Sequence, residues 1–92
     1  MERLDGKRII ITGGASGMGR TTVENFPTLG AKVVFFDVND KDGEEVAKAS
    51  GTKYIHVDVS NQEEVEKGFK EAVEYLGGLD VLIHAAAIAP RT

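Results

Sequence analysis

The amino-acid sequence predicts a doubly wound α/β fold with a parallel sheet. Three observations predict it. Four short apolar runs punctuate the chain, each continuous rather than alternating. A helical pattern separates each run from the next, and a glycine-rich turn joins the first run to the first helix. Continuous apolarity marks a strand covered on both faces, the habit of parallel sheets. Strands alternating with helices then imply right-handed crossovers.

The first strand is Lys7-Arg8-Ile9-Ile10-Ile11-Thr12, with three β-branched residues in a row. A helix is predicted from about Met18 to Leu29, with Gly30 placed to end it. Pro27 cannot donate a backbone hydrogen bond, so a kink or an early end is expected there. Lys32-Val33-Val34-Phe35-Phe36-Asp37 is the second strand. The second helix runs from about Lys41 to Ala49, after Asn39 or Asp40 as N-cap and before Gly51. Tyr54-Ile55-His56-Val57 is the third strand. Ser60 and Glu63 have the spacing of a capping box for the third helix. Val65, Phe69, Ala72, Val73 and Leu76 follow at helical spacing, up to Gly77-Gly78. Its charged face offers Glu63–Lys67 and Glu66–Lys70 as i,i+4 pairs. Val81-Leu82-Ile83-His84-Ala85 is the fourth strand. The order is β-α-β-α-β-α-β.

Composition narrows the function classes. The chain has 92 residues, 41% of them apolar, which suits one small domain or part of a larger one. Eleven basic and 15 acidic side chains give a net charge of −4, a poor match to nucleic acid. Without cysteine there are no disulfides, thiolate metal sites or thiol nucleophiles, and a reducing compartment is suited. Met1-Glu2-Arg3-Leu4-Asp5 lacks a signal peptide's apolar stretch, no run reaches membrane-spanning length, and a cytoplasmic location is expected.

The chemistry concentrates at the first turn, Thr12-Gly13-Gly14-Ala15-Ser16-Gly17-Met18-Gly19. Glycines let the chain turn tightly and remove the Cβ atoms that would hold a phosphate away from the backbone. The helix start then offers free N–H groups and a positive dipole end to an anion. The spacing is G-x-x-x-G-x-G, with Thr22 where a G-x-G-x-x-G fingerprint would place its last glycine. A purely structural turn is the competing reading. Asp37 ends the second strand, 20 residues after Gly17. An acid there accepts hydrogen bonds from an adenosine ribose in dinucleotide folds and repels a 2′-phosphate. Neither Val38 and Asn39 nor Ser16 supplies a cation for such a phosphate, which favours NAD over NADP. A turn or helix-capping aspartate is the alternative. Asp58-Val59 can flank an adenine ring, or Asp58 can cap the turn before Ser60.

These residues together resemble the short-chain dehydrogenases/reductases. Thr12 to Gly19 matches that family's T-G-x-x-x-G-x-G turn. Asp37, Asp58-Val59 and Leu79-Asp80-Val81-Leu82-Ile83 follow in its order and spacing. The resemblance implies a Rossmann-type sheet with strand order 3-2-1-4, and residues 1–92 as one dinucleotide-binding half-domain cut before the catalytic part. It places Gly13, Ser16, Gly17, Met18 and Gly19 around the pyrophosphate and nearby ribose. Asp37 and Val38 would meet the adenosine ribose, and Asp58 and Val59 the adenine. The family's Asn-Asn-Ala-Gly after the fourth strand reads His84-Ala85-Ala86-Ala87 here, so His84, Ala86 and Ala87 stand nearest the nicotinamide ribose. The family's catalytic serine and Tyr-x-x-x-Lys pair have no counterpart, since Asp58 follows Tyr54 and Leu79 follows Tyr75 at the lysine spacing.

The resemblance therefore implies hydride transfer between NAD and an alcohol or ketone in the intact protein, with no turnover by these residues alone. In residues 1–92 by themselves the fourth strand would be an unpaired edge, so self-association or marginal stability of that piece is expected. Separately, a homo-oligomer is expected for the intact protein. A non-catalytic NAD-binding module and a methyltransferase half that binds S-adenosylmethionine are the other readings. His56, His84 and Asp58 match no metal-ligand spacing, and no metal is expected.

Overall fold

The computed structural model describes residues 3–15 and 17–85. Four parallel strands form one sheet: β1 (Arg8–Thr12), β2 (Lys32–Asp37), β3 (Lys53–His56) and β4 (Val81–His84). Their spatial order is β3-β2-β1-β4, as predicted. Helices α1 (Gly17–Asn25), α2 (Asp40–Ser50) and α3 (Gln62–Leu76) connect them.

The winding explains the continuous apolar runs. Ile9, Ile11, Val33 and Phe35 point to one face, where they pack with Val23 of α1 and Val46 of α2. Ile10, Val34 and Phe36 point to the other, against Ala72 and Leu76 of α3. Successive side chains on a strand alternate between faces, so a sheet covered twice needs apolar residues at every position. α3 lies very close to the sheet at Gly68, where a Cβ would sit 2.5 Å from Val57 Cγ2.

Three local readings are corrected. α1 ends at Asn25, and a 3₁₀ turn (Phe26–Leu29) carries the chain to Gly30. Pro27 sits in the first turn of that segment, where its missing N–H costs nothing. At the start of α3 the N-cap is Asn61, not Ser60: its side chain accepts from Glu64 N at 3.2 Å. Ser60 is held away because Asp58 Oδ1 accepts from its N–H (2.9 Å) and its hydroxyl (2.7 Å). Glu64, rather than Glu63, reaches back, accepting from Asp58 N at 3.0 Å. The ion pair that α3 makes among the described residues is Glu71 with Lys53, in place of Glu63–Lys67 and Glu66–Lys70. Those exposed side chains gain too little from pairing to be held together.

β4 lies at the sheet's edge, and Val81 and Leu82 are exposed there. Its register against β1 is pinned at the start by Asp80. The Asp80 carboxylate accepts from Arg8 N (2.9 Å), Nε (3.0 Å) and Nη2 (3.3 Å), while Arg8 Nη1 donates to Gly77 O at 2.8 Å. These bonds hold the Asp80 carboxyl down to about 2. A depressed carboxylate contributes stability above its ordinary value of 3.8, and that contribution is lost as pH falls towards 2. We therefore expect Asp80→Asn to be less stable than wild type at pH 6, with the difference closing by pH 2. Denaturant melts at pH 6, 4 and 2 check this, and a gap that persists at pH 2 would contradict it.

Candidate functional site

The carboxyl ends of β1, β2 and β3 meet at one edge of the sheet. The turn after β1 is built by glycines with distinct jobs. Gly13 and Gly17 have φ of +75° and +58°, a region that side chains with a Cβ avoid. Gly17 opens α1, and among the described residues nothing lies within 4 Å of where its Cβ would be. Gly19 is needed for another reason: a Cβ there would fall on the carbonyl oxygen of Gly13 and 3.1 Å from Ala85 Cβ. Gly14 is pressed against Phe35, whose side-chain atoms would lie 2.6–2.7 Å from a Cβ. Among the described residues, none blocks the helix start at Gly17. The N–H groups of a helix's first turn have no intrahelical acceptor, so this is an anion-accepting surface.

Asp37 stands beside that turn. Its carboxylate accepts from Ala15 N (3.0 Å), Val38 N (2.7 Å) and Asn39 N (3.3 Å). Gly13 N and Gly14 N donate to Phe36 O, one residue earlier. The end of β2 thus holds the glycine turn in place, a job the sequence reading did not assign. A carboxylate offers about four acceptor sites, so roughly one remains for a further donor. The bond to Asn39 N is the longest and the easiest to exchange.

Three apolar side chains are exposed on this edge: Met18 after β1 (71%), Val38 after β2 (55%) and Val59 after β3 (51%). All three are among the residues assigned to cofactor binding from sequence. Asp58 forms the turn with Ser60 that was the alternative reading of its carboxylate. At the other side, Thr12 Oγ1 lies 3.1 Å from His84 Nδ1, and Ala85 N donates to Thr12 O at 2.9 Å. His84 therefore clasps the ends of β1 and β4 with its ring exposed. Ser16, Ala86 and Ala87 lie outside the described residues. His56 Nδ1 bonds Asp40 Oδ1 at 2.7 Å, rather than turning to Asp58.

The fit to a dinucleotide is good where it can be tested. A helix start without a Cβ at Gly17 suits a pyrophosphate. An acid with a spare lone pair suits a ribose hydroxyl, and exposed valines on two neighbouring turns suit a planar base. No helix among the described residues is long and apolar enough to cross a membrane.

Known proteins share both the sequence and the geometry. The profile of the family described as enoyl-(acyl carrier protein) reductase matches residues 13–92. Short-chain dehydrogenase reductase 3b of Arabidopsis thaliana is 49% identical over 90 residues, covering 95% of this chain and 35% of that protein. Hydroxysteroid dehydrogenase from Escherichia coli superposes with a TM-score of 0.86 at 31% identity, over 89% of this chain and 36% of that one. A 3-ketoacyl-(acyl-carrier-protein) reductase from Brucella melitensis, solved in complex with NADH, gives 0.81 at 32% identity, over 86% of this chain and 33% of that one. The chain spans about a third of the length of the curated relatives it matches. With the family profile matching residues 13–92, a relative 49% identical over 95% of the chain and solved structures that share its fold, the chain belongs to the short-chain dehydrogenase/reductase family.

Proposed function

We propose that this chain is the NAD-binding portion of an oxidoreductase that interconverts an alcohol and a ketone. The observation that carries the reading is the shared edge. An open, positive-φ helix start at Gly17, the Asp37 carboxylate and the exposed Val38 and Val59 all lie at the carboxyl ends of adjacent strands. Ligands of open α/β sheets bind at that edge, near the point where strand order reverses. Here the reversal falls between β1 and β4.

In this reading Gly13, Ser16, Gly17, Met18 and Gly19 hold the pyrophosphate and its ribose. Asp37 accepts from the adenosine ribose, with Val38 beside it. Asp58 and Val59 border the adenine, and His84, Ala86 and Ala87 border the nicotinamide ribose. When bound, the cofactor would accept a hydride from the alcohol as NAD or give one to the ketone as NADH, while these residues bind it, orient it and choose its adenosine end. Asp37 favours NAD, because a 2′-phosphate would meet a carboxylate with no cation supplied by Val38 or Asn39. The family assignment leaves the methyltransferase reading without support. A homo-oligomer of the intact protein is part of the proposal, and light scattering of the intact protein tests it.

The deciding experiment is calorimetric titration of the intact protein with NAD and with NADP. NAD is expected to bind at least about tenfold more tightly. Equal affinities or a preference for NADP would overturn the role given to Asp37. No binding of either would overturn the reading as a whole. Binding of NAD without turnover of any alcohol or ketone would select a non-catalytic module instead.

A further inference from the structure

We propose that Tyr54 and His56 are positioning residues for the Asp37–Asp40 turn, and that a proton on His56 tightens dinucleotide binding there. The inference rests on the cofactor reading above and adds to it two residues and a pH dependence.

The geometry begins with strand register. Asp37 and His56 are direct partners in the β2–β3 ladder, so their side chains leave the sheet on the same face. The backbone carbonyl of Asp37 accepts from Val57 N at 3.0 Å and lies 3.1 Å from the Tyr54 hydroxyl. That hydroxyl is also 2.6 Å from Asp40 Oδ1, and the same oxygen accepts from His56 Nδ1 at 2.7 Å. Two donors from β3 thus converge on one carboxylate oxygen at the start of α2. They tie down the Asp40 end of the turn that carries Asp37, Val38 and Asn39, while Val57 N holds its Asp37 end. The Asp37 carboxylate depends on the shape of that turn, because it takes the N–H groups of Val38 and Asn39 as well as that of Ala15.

His56 is also the titratable member of the cluster. Its Nδ1 must carry a hydrogen to bond the Asp40 carboxylate, so the second proton enters at Nε2. The groups around it are acidic: Asp40 and, at longer range, Glu64 and Asp58. Tyr54 beside it also faces Asp37 and Glu44. The bond to Asp40 raises the His56 pKa above its ordinary value of 6.5. A dinucleotide brings further negative charge to this crowd of carboxylates. Protonated His56 offsets part of that repulsion and strengthens its hold on Asp40. Binding must then favour the protonated form, and by linkage affinity falls as pH rises through the His56 pKa. Asp40 and His56 are both exposed, so screening keeps the effect modest.

The test is calorimetric titration of the intact protein with NAD between pH 6 and 9, for wild type, His56→Asn and Tyr54→Phe. The asparagine amide places a donor near the Nδ1 position without a titrating group. Wild-type affinity is expected to fall about threefold across this range, and His56→Asn to show no such slope. Tyr54→Phe should bind more weakly at every pH and keep the slope. In NMR titrations, NAD should raise the His56 pKa. A flat wild-type profile, or a slope that survives in His56→Asn, overturns the inference while leaving the cofactor reading intact. Absence of NAD binding at every pH overturns both.

Discussion

Gly19→Ala is expected to destabilise the fold by about 3 kcal/mol and to impair dinucleotide binding even where the protein remains folded. The new Cβ would fall on the Gly13 carbonyl oxygen and press on Ala85. The first obstacle is backbone, so no rotamer change relieves it. Either the turn must open or α1 must slide, and both movements displace the N–H groups that face the ligand. Gly17→Ala makes the informative comparison. No described residue crowds Gly17, so what the substitution meets is the positive φ, at roughly 1–2 kcal/mol. Chemical denaturation of both variants in the intact protein measures the difference. If Gly19→Ala lies within about 1 kcal/mol of wild type, the close approach of helix and turn is wrong.

Phe35→Ala should cost about 3–5 kcal/mol, the largest effect expected from any core truncation here. Phe35 is fully buried at the centre of the α1/α2 face, with its ring centroid 5.4 Å from that of Tyr54. It is also the surface on which Gly14 rests. Truncation therefore leaves a cavity beneath the glycine turn as well as in the core. This makes a second result specific. Gly14→Ala alone forces its methyl into Phe35 and should cost about 1–3 kcal/mol. In the background of Phe35→Ala that cost should fall only in part, because Cγ and Cδ2 are removed while the Cβ of residue 35 stays 2.6 Å from the new methyl. Additive losses would mean that the two residues do not share the contact.

Much of the fold was legible because its signals are local. The residues of β2 appear as one apolar run between Lys32 and Asp37, and the strand has those bounds. Gly30, Gly51 and Gly77 end helical segments as left-handed caps where a helical pattern stops. Pro27 announced the early end of α1. What escaped the reading depends on atoms brought together by folding. Ser60 and Asn61 are both competent N-caps, and the choice falls to Asn61 because Asp58 occupies Ser60. Gly14, Gly19 and Gly68 look like flexible residues in sequence, yet each stands where another chain segment would collide with a methyl group. Asp37 was singled out from sequence as a candidate ribose acceptor by its position. Its bond to Ala15 N crosses from β2 to the turn after β1, and no spacing along the chain reveals it. The partnership of Asp40 with Tyr54 and His56 is hidden for the same reason, since 14 and 16 residues separate them.

The central place of β1 has a consequence for the order in which the sheet is assembled. Its pairing with β2 joins Arg8 to Lys32, 24 residues apart, while its pairing with β4 joins Ile9 to Val81, 72 residues apart. A threefold longer loop costs about 1 kcal/mol more to close. A chain emerging from the ribosome can therefore complete the β3-β2-β1 half while the far side of β1 waits with its hydrogen-bonding groups unpaired. Arrival of residues 80–84 ends that exposure. The Arg8–Asp80 bonds meet the incoming strand at its first residue, so they act as a latch that sets register before the apolar side chains of β4 come into play.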